Sequence, residues 1–218
     1  EDGKSGIIDY TGRIILPISS EKKDMCSAKE DLIWVKLGNK YGFYDNSGKL
    51  VVDFNYDDVG AFMEGLIRVV RNGKVGFVSR TGTELISCQY EDAADFTEGY
   101  ACIRKNGLWG FVNTTGKIVI PVVHEEVGSF SAGLAPFLKD NRWGFMNKTG
   151  DVVIQAQYTE VGPFYANIAP ARNNSWGLIN KNGLFVVPPQ YDGIGNFYEG
   201  FAYVRKGEKF GYIDSTGK

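Results

Sequence analysis

A repeat of about 34 residues runs through the 218-residue chain and constrains its fold more than any other feature. The stretch "WGFVNTTGKIVIP", which begins at Trp109, returns as "WGFMNKTGDVVIQ" from Trp143 and "WGLINKNGLFVVP" from Trp176. Two glycine columns recur at steps of 36, 34, 34, 34, 33 and 34 residues: Gly6, Gly42, Gly76, Gly110, Gly144, Gly177 and Gly211, then Gly12, Gly48, Gly82, Gly116, Gly150, Gly183 and Gly217. Such self-similarity is the sequence signature of solenoids, propellers and related repeat arrays.

Each unit is predicted to contain three short antiparallel strands. "WGFVN" is the first, and "NTTG", with Gly three residues after Asn, is typical of a hairpin turn. The second strand, "KIVI" in its clearest form, is continuously apolar, which predicts burial on both faces. The third strand follows segments such as "FTEGYACI", and an Asn-Gly turn returns the chain to the next unit. Because one unit is too small to fold alone, neighbouring units are expected to build a continuous core.

The aromatic-Gly pair that opens each unit is predicted to have a structural role. The rings are expected to bury a large area between successive units, and the glycine is expected to let another backbone or ring approach closely. The aromatic column is Tyr41, Val75, Trp109, Trp143, Trp176 and Phe210.

The length of each repeat and its three predicted strands together indicate how the repeats are arranged. We predict an all-β fold, a tandem repeat of three-stranded antiparallel units in an open β-solenoid-like array, with a β-propeller as the alternative. A propeller blade usually has about four strands and roughly 40 or more residues, which exceeds the unit found here. The array is predicted to be one domain over residues 1–218, with a divergent first repeat at 1–40, full repeats at 41–74, 75–108, 109–142, 143–175 and 176–209, and a partial one at 210–218.

The Trp-Gly pair, the turn ending in Gly-Lys, the apolar strand with Pro and the "FTEGYACI" segment resemble the WG-repeat family. The resemblance covers essentially the whole chain. It implies a non-catalytic repeat module, often in bacterial surface or envelope proteins, and it implies no particular ligand. The first unit departs from the pattern, with Ser5 at the aromatic position and Ala28 in place of Phe, so we expect an eroded terminal unit.

Composition excludes several classes of partner. The chain has 24 Lys+Arg and 26 Asp+Glu, and its net charge of -2 gives no reason to expect nucleic acid. Its apolar runs are too short to span a bilayer, so membrane insertion by this chain is not expected. The odd, scattered cysteines do not form a disulfide framework. Since the chain does not begin with Met, we expect a processed protein or a fragment. The resemblance favours a bacterial envelope or extracellular location.

Catalytic and metal-binding patterns are not found in the sequence. His124, the single histidine, stands in a column that is otherwise tyrosine, so we interpret it as a tyrosine substitute. No nucleophile motif or phosphate-binding glycine loop accompanies it. We therefore expect no enzyme, no cofactor and no metal site. One column of the repeat is acidic and could hold Ca²⁺ or a basic partner, although pairing with a basic column is favoured. The acidic column is Asp58, Asp92, Glu126 and Glu160. The basic column is Arg71, Lys105, Lys139, Arg172 and Lys206.

Large aromatic residues in variable columns are the candidate partner-binding residues: Trp34, Tyr203, Tyr165 and Tyr198. Trp34 and Tyr203 share a column with Arg, Cys and Pro, whereas Tyr165 and Tyr198 share one with Met, Thr and Ser. Because the fold does not fix these identities, exposed rings there would be suited to anchoring a partner. Cross-strand packing is the competing interpretation.

The sequence thus predicts a non-enzymatic scaffold that mediates protein–protein interaction, as part of a larger bacterial envelope or secreted protein or complex. The alternative is a module that binds carbohydrate, such as a cell-wall glycan. Regularly spaced exposed rings would favour a glycan, whereas a single patch would favour a protein partner.

Overall fold

A computed structural model describes residues 6–18, 23–25 and 32–218. Within these ranges the chain forms strands and turns and contains no helix, which confirms the all-β prediction. The predictions at Ser5, Cys26 and Ala28 lie outside the described residues. The chain divides into two compact units, residues 1–96 with 114–116, and residues 97–113 with 117–218.

The first unit contains a two-stranded sheet followed by two four-stranded sheets. Its strands are β1 (Ile7–Ile8), β2 (Ile14–Leu16), β3 (Lys23–Met25), β4 (Leu32–Leu37), β5 (Lys40–Asp45), β6 (Leu50–Tyr56), β7 (Asp58–Met63), β8 (Leu66–Arg71), β9 (Lys74–Ser79), β10 (Glu84–Tyr90) and β11 (Asp92–Ala93). Strands β1 and β2 pair, and each of the sets β3 to β6 and β7 to β10 pairs in chain order. All these pairs are antiparallel.

The second unit continues the same pattern. Its strands are β12 (Tyr100–Lys105), β13 (Leu108–Asn113), β14 (Ile118–His124), β15 (Glu126–Val127), β16 (Ala135–Lys139), β17 (Arg142–Met146), β18 (Val152–Tyr158), β19 (Glu160–Val161), β20 (Ile168–Arg172), β21 (Trp176–Asn180), β22 (Phe185–Tyr191), β23 (Gly193–Ile194), β24 (Phe201–Lys206) and β25 (Lys209–Asp214). Strands β15 to β18 and β19 to β22 form four-stranded sheets, and β23 to β25 form a three-stranded sheet.

A short additional strand joins the three that the sequence predicts. In the sheet β19 to β22 it is only two residues long, and Glu160 and Val161 pair with Arg172 and Ala171. The backbone N–H of Thr159 also donates to the carbonyl of Arg172. Two residues are too few to show alternation of apolar and polar side chains, so periodicity could not identify this strand.

The apolar second strand of each repeat is buried on one face only, contrary to the prediction of burial on both. In β14, Ile120 is buried, whereas Ile118 and Val123 are exposed. This strand is the last in its sheet, as β18 and β22 are in theirs. Antiparallel sheets commonly have one packed and one solvated face, and the β-branched residues of this strand reflect strand propensity as much as burial.

The rings that form the core follow the Trp-Gly pair. Phe111 and Phe145 are fully buried, whereas Trp109 and Trp143 are half-buried. Phe145 packs edge-on against Phe164, which lies between β19 and β20, with ring centroids 4.8 Å apart. The rings predicted to be buried, those of the Trp column, are only half-buried, and the fully buried rings are those two residues later in the chain.

The glycine of each Trp-Gly pair lies under the backbone of the apolar strand, as predicted. A Cβ added at Gly144 would lie 2.5 Å from the carbonyl oxygen of Ile154, and one added at Gly110 would lie 2.7 Å from that of Ile120. Real Cβ atoms essentially never approach other atoms this closely. The glycine is thus required because a neighbouring strand occupies the space of a side chain.

Candidate interaction surface

The last sheet carries five aromatic residues on one face. Tyr203 lies directly opposite Tyr212 in the pairing of β24 with β25, and Phe210 lies opposite Arg205. Phe201 is two residues from Tyr203, so both side chains point to the same face. Tyr198 pairs with Phe201 across a two-residue turn, which places it on that face as well. The register therefore gathers the rings into one patch, the aromatic face, formed by Tyr198, Phe201, Tyr203, Phe210 and Tyr212.

The aromatic face is exposed, although the same positions in other sheets are covered. Tyr212 is 76% exposed, whereas Phe145, its equivalent in β17, is 0% exposed. Phe210 is 73% exposed, while Trp143 at the equivalent position is half-buried. Phe145 is covered by Phe164, which lies between β19 and β20.

The structure places the four candidate anchors in different surroundings. Tyr198 and Tyr203 belong to the aromatic face and are exposed. Tyr165 lies one repeat earlier, near the boundary between exposed and half-buried, and stacks on Phe197 with ring centroids 5.5 Å apart and planes 17° apart. Trp34 is half-buried, packs against the first unit's core and meets Tyr41 edge-on at 5.4 Å. The structure thus brings two of the four residues together.

The column of Trp34 and Tyr203 varies in sequence but has a consistent place in the fold. A Cβ at Gly195 would lie 2.2 Å from the Tyr203 ring, and one at Gly128 would lie 2.7 Å from the Pro136 ring. The residue in this column therefore covers a small residue on the adjacent chain segment. Any side chain of moderate size can do so, which explains the variation without removing the packing role.

Sequence reasoning missed Phe201, Phe210 and Tyr212. Phe210 stands in the aromatic column that was assigned to packing, and Tyr212 stands in the column of the buried Phe145. Phe201 lies in the last full repeat, whereas Phe210 and Tyr212 lie in the seventh, partial repeat.

A family model for the WG containing repeat matches residues 41–74, 76–109, 109–143, 143–175 and 176–210. These matches cover most of the chain. The chain belongs to the WG containing repeat family.

Solved structures similar to the WG-repeat chain have low sequence identity. A eukaryotic initiation factor structure is 10% identical and has a TM-score of 0.58. The match covers 92% of this chain and 65% of the initiation factor chain, so this chain spans slightly less than two thirds of that protein. Kluyveromyces lactis Hsv2 is 8% identical with a TM-score of 0.52, covering 88% and 74%. BamB from Moraxella catarrhalis is 12% identical with a TM-score of 0.49, covering 97% and 76%.

Hsv2 is β-propeller-like, which agrees with the alternative architecture predicted from the sequence. Four strands per sheet also meet the usual requirement for a blade, because the short additional strand supplies the fourth. No curated protein matches the chain significantly.

Tyr56 and His124, two residues of the WG repeats with shifted pKa values, lie in β6 and β14 and not at the aromatic face. Burial raises the pKa of Tyr56 to about 12, and the nearby Glu84 carboxylate contributes. The Tyr56 hydroxyl donates to Glu84 at 3.1 Å, and Arg71 binds the same carboxylate at 2.8 Å. Burial lowers the pKa of His124. His124 pairs with Trp109 as Tyr158 pairs with Trp143, which supports its interpretation as a tyrosine substitute.

The acidic and basic columns meet in at least one WG repeat, where Arg172 forms an ion pair with Glu160. Among the residues that the structure describes, no group of three or more His, Cys, Asp or Glu is arranged to hold a metal ion. The described part of the chain also contains no helix with the length and apolarity needed to cross a membrane.

Proposed function

We propose that this WG-repeat chain is a non-enzymatic scaffold that binds a protein partner, with the exposed Tyr198 and Tyr203 as candidate anchors. The observation that carries the proposal is the tandem array of WG repeats over residues 41–210, since arrays of stacked repeats provide extended binding surfaces. Aromatic side chains dominate the energetics of protein interfaces because they bury a large area at small conformational cost. A larger bacterial envelope or secreted complex is the setting that the proposal favours.

Burial of the repeated rings favours a protein over a glycan. Regularly spaced exposed rings along the array would suit a polysaccharide, but the ring position that follows each aromatic-Gly pair is buried in the repeats from Phe43 to Leu178.

Site-specific photo-crosslinking tests the proposal. A photoreactive phenylalanine analogue is placed at Tyr198 or at Tyr203, and at the fully exposed Tyr10 as a control. In cells of the source organism, the first two positions are expected to crosslink to one and the same protein, and the control is not. A crosslink that is equally strong from Tyr10, or its absence from both face positions, would remove the support for this surface. Retention of the chain on a cell-wall glycan, lost on Tyr203→Ala, would favour the carbohydrate alternative.

A further inference from the structure

A basic residue lies opposite the ring of the aromatic-Gly pair in several sheets. Lys36 pairs with Tyr41, and its Nζ lies over the ring at 5.1 Å from the centroid. Arg104 pairs with Trp109, and its Cζ lies over the ring at 6.0 Å from the centroid. A cation in this position is attracted by the negative face of the ring. These sheets therefore supply a cation of their own to the aromatic residue.

The same basic position also serves the acidic residue of the short additional strand. In the sheet β19 to β22, Arg172 lies opposite Glu160 on one side and opposite Trp176 on the other. The Arg172 guanidinium forms an ion pair with the Glu160 carboxylate. Because directly opposite residues of antiparallel strands point to the same face, the acid, the cation and the indole form one row across the sheet.

The sheet β15 to β18 has this row without its cation. Glu126 lies opposite Leu138, and Leu138 lies opposite Trp143, so a leucine occupies the basic position. The next residue, Lys139, points to the other face of the strand. Among the residues that the structure describes, Glu126 forms no ion pair and no cation lies over the Trp143 ring. The carboxylate and the indole are both left without the cation that their equivalents have.

A cavity of about 480 Å³ lies beside this incomplete row, and both Glu126 and Trp143 line it. Its apolar walls come from Val127, Pro136, Val161 and Pro163. Thr97 also lines the cavity, and its buried hydroxyl oxygen has no hydrogen-bond partner within the described part of the chain. Buried polar groups normally have a partner, so this hydroxyl is available to a bound group. Apolar walls, a carboxylate, an indole and a hydroxyl together suit a side chain with an apolar stem and a cationic end.

We propose that this space, the Glu126–Trp143 cavity, binds an arginine side chain of the partner protein, whose guanidinium takes the place of the missing cation. The inference rests on the proposed function and names one group that the scaffold recognises. Arginine is favoured over lysine because its planar guanidinium stacks on a ring and donates two hydrogen bonds to one carboxylate. The chain itself has arginine at this position in two sheets, Arg104 over an indole and Arg172 on a carboxylate.

A short peptide with a single arginine is the probe. It is acetylated, amidated and otherwise composed of glycine and serine, and it is titrated into the complete, isotope-labelled 218-residue chain. The indole N–H signal of Trp143 in NMR spectra, identified as the signal that Trp143→Phe removes, reports occupancy of the cavity. The arginine peptide is expected to shift this signal until it saturates. A citrulline peptide, which has a neutral group of nearly the same shape, is expected to leave the signal unchanged, and a lysine peptide is expected to bind several-fold more weakly.

Two pairs of matched variants locate the binding site. Leu138→Arg restores the cation of the other sheets and is expected to abolish binding, whereas Leu138→Met keeps the volume without charge and is expected to bind like the unmodified chain. Glu126→Gln is expected to weaken binding by about tenfold or more, because it removes a charged hydrogen-bond acceptor. Glu160→Gln changes an acid that already has its arginine, and it is expected to leave binding unchanged. Thermal unfolding checks that all four variants fold.

The outcomes separate this cavity from the proposed function. Saturable binding of the arginine peptide that Leu138→Arg and Glu126→Gln remove, and that both controls retain, would establish the site. No shift of the Trp143 signal, equal binding of the citrulline peptide, or equal binding to Leu138→Arg would overturn it. Tighter binding of free arginine than of the peptide would make the occupant a small cation and overturn the partner side chain.

The crosslinking experiment gives an independent result. If the cavity fails these tests while Tyr198 or Tyr203 still crosslinks to a partner, the scaffold keeps its proposed function and only the arginine site falls. Peptide binding without a crosslinked partner would instead remove the two tyrosine anchors and leave the cavity in place.

Discussion

The substitution Gly144→Ala tests why glycine follows tryptophan in these repeats. The new Cβ would lie 2.5 Å from the carbonyl oxygen of Ile154 and 2.7 Å from the N of Ala156, both in the backbone of β18. The first distance is roughly 0.9 Å shorter than an ordinary 3.4 Å contact, so the strand must move. Overpacking of this kind costs about 1–3 kcal/mol. The lower entropy of alanine in the unfolded chain offsets about 0.4–1 kcal/mol of that.

A net loss of about 1–2 kcal/mol is therefore expected for Gly144→Ala. For a chain of this size each kcal/mol changes Tm by about 2–4 °C. Chemical denaturation followed by tryptophan fluorescence measures the free energy of unfolding, and thermal scans measure Tm. The matched variant Gly211→Ala meets no atom closer than 3.9 Å and is expected to be neutral or slightly stabilising. Equal changes in the two variants would refute the close-approach explanation.

Three further changes test other parts of the structure. Trp34→Ala is expected to lower the free energy of unfolding by about 2 kcal/mol, because the ring is half-buried against the core. Tyr203→Ala should lower it by less than about 1 kcal/mol, because the ring is exposed. Equal losses in chemical denaturation would contradict this difference in burial. Because the folded pKa of Tyr56 is raised to about 12, stability should fall between about pH 10 and that value. Glu84→Gln should lower this pKa in a spectroscopic titration of tyrosinate, and an unchanged titration would show that the carboxylate contributes nothing. Ser131→Ala removes a hydroxyl that donates to the carbonyl of Phe164 at 2.6 Å, so the free energy of unfolding should fall by about 1 kcal/mol. An unchanged unfolding midpoint would contradict this contribution.

Much of the fold could be predicted from the sequence because the repeat reports each structural requirement several times. The glycine that follows Trp109, Trp143 and Trp176 indicated close backbone approach, and the structure has a strand over each of these glycines. The two-residue strands were missed because they are too short to show a period. Burial of the apolar strand was overestimated because an apolar run does not distinguish an outer strand from a central one.

The exposure of the candidate partner-binding residues could be predicted only in part. Variation in a column identified Tyr203 and Tyr198, which are exposed, but it also selected Trp34, which packs against the core. Variation reports that several side chains fit a position and does not report whether solvent reaches it. Tyr212 was missed for the opposite reason. Its column is buried in the repeats from Phe43 to Leu178, so the repeat pattern predicted a packing residue at Tyr212 as well.

Hydrogen–deuterium exchange of the 218-residue chain tests the central claim, that a short strand completes a four-stranded repeat sheet, most directly. The backbone N–H groups of Thr159 and Gly162 flank β19 and donate to the carbonyls of Arg172 and Pro170 at 2.8 and 2.9 Å. We expect these two amides to exchange much more slowly than amides of an unstructured chain. Exchange of both at the rate of an unstructured chain would contradict the paired fourth strand and the blade-like sheet that it completes.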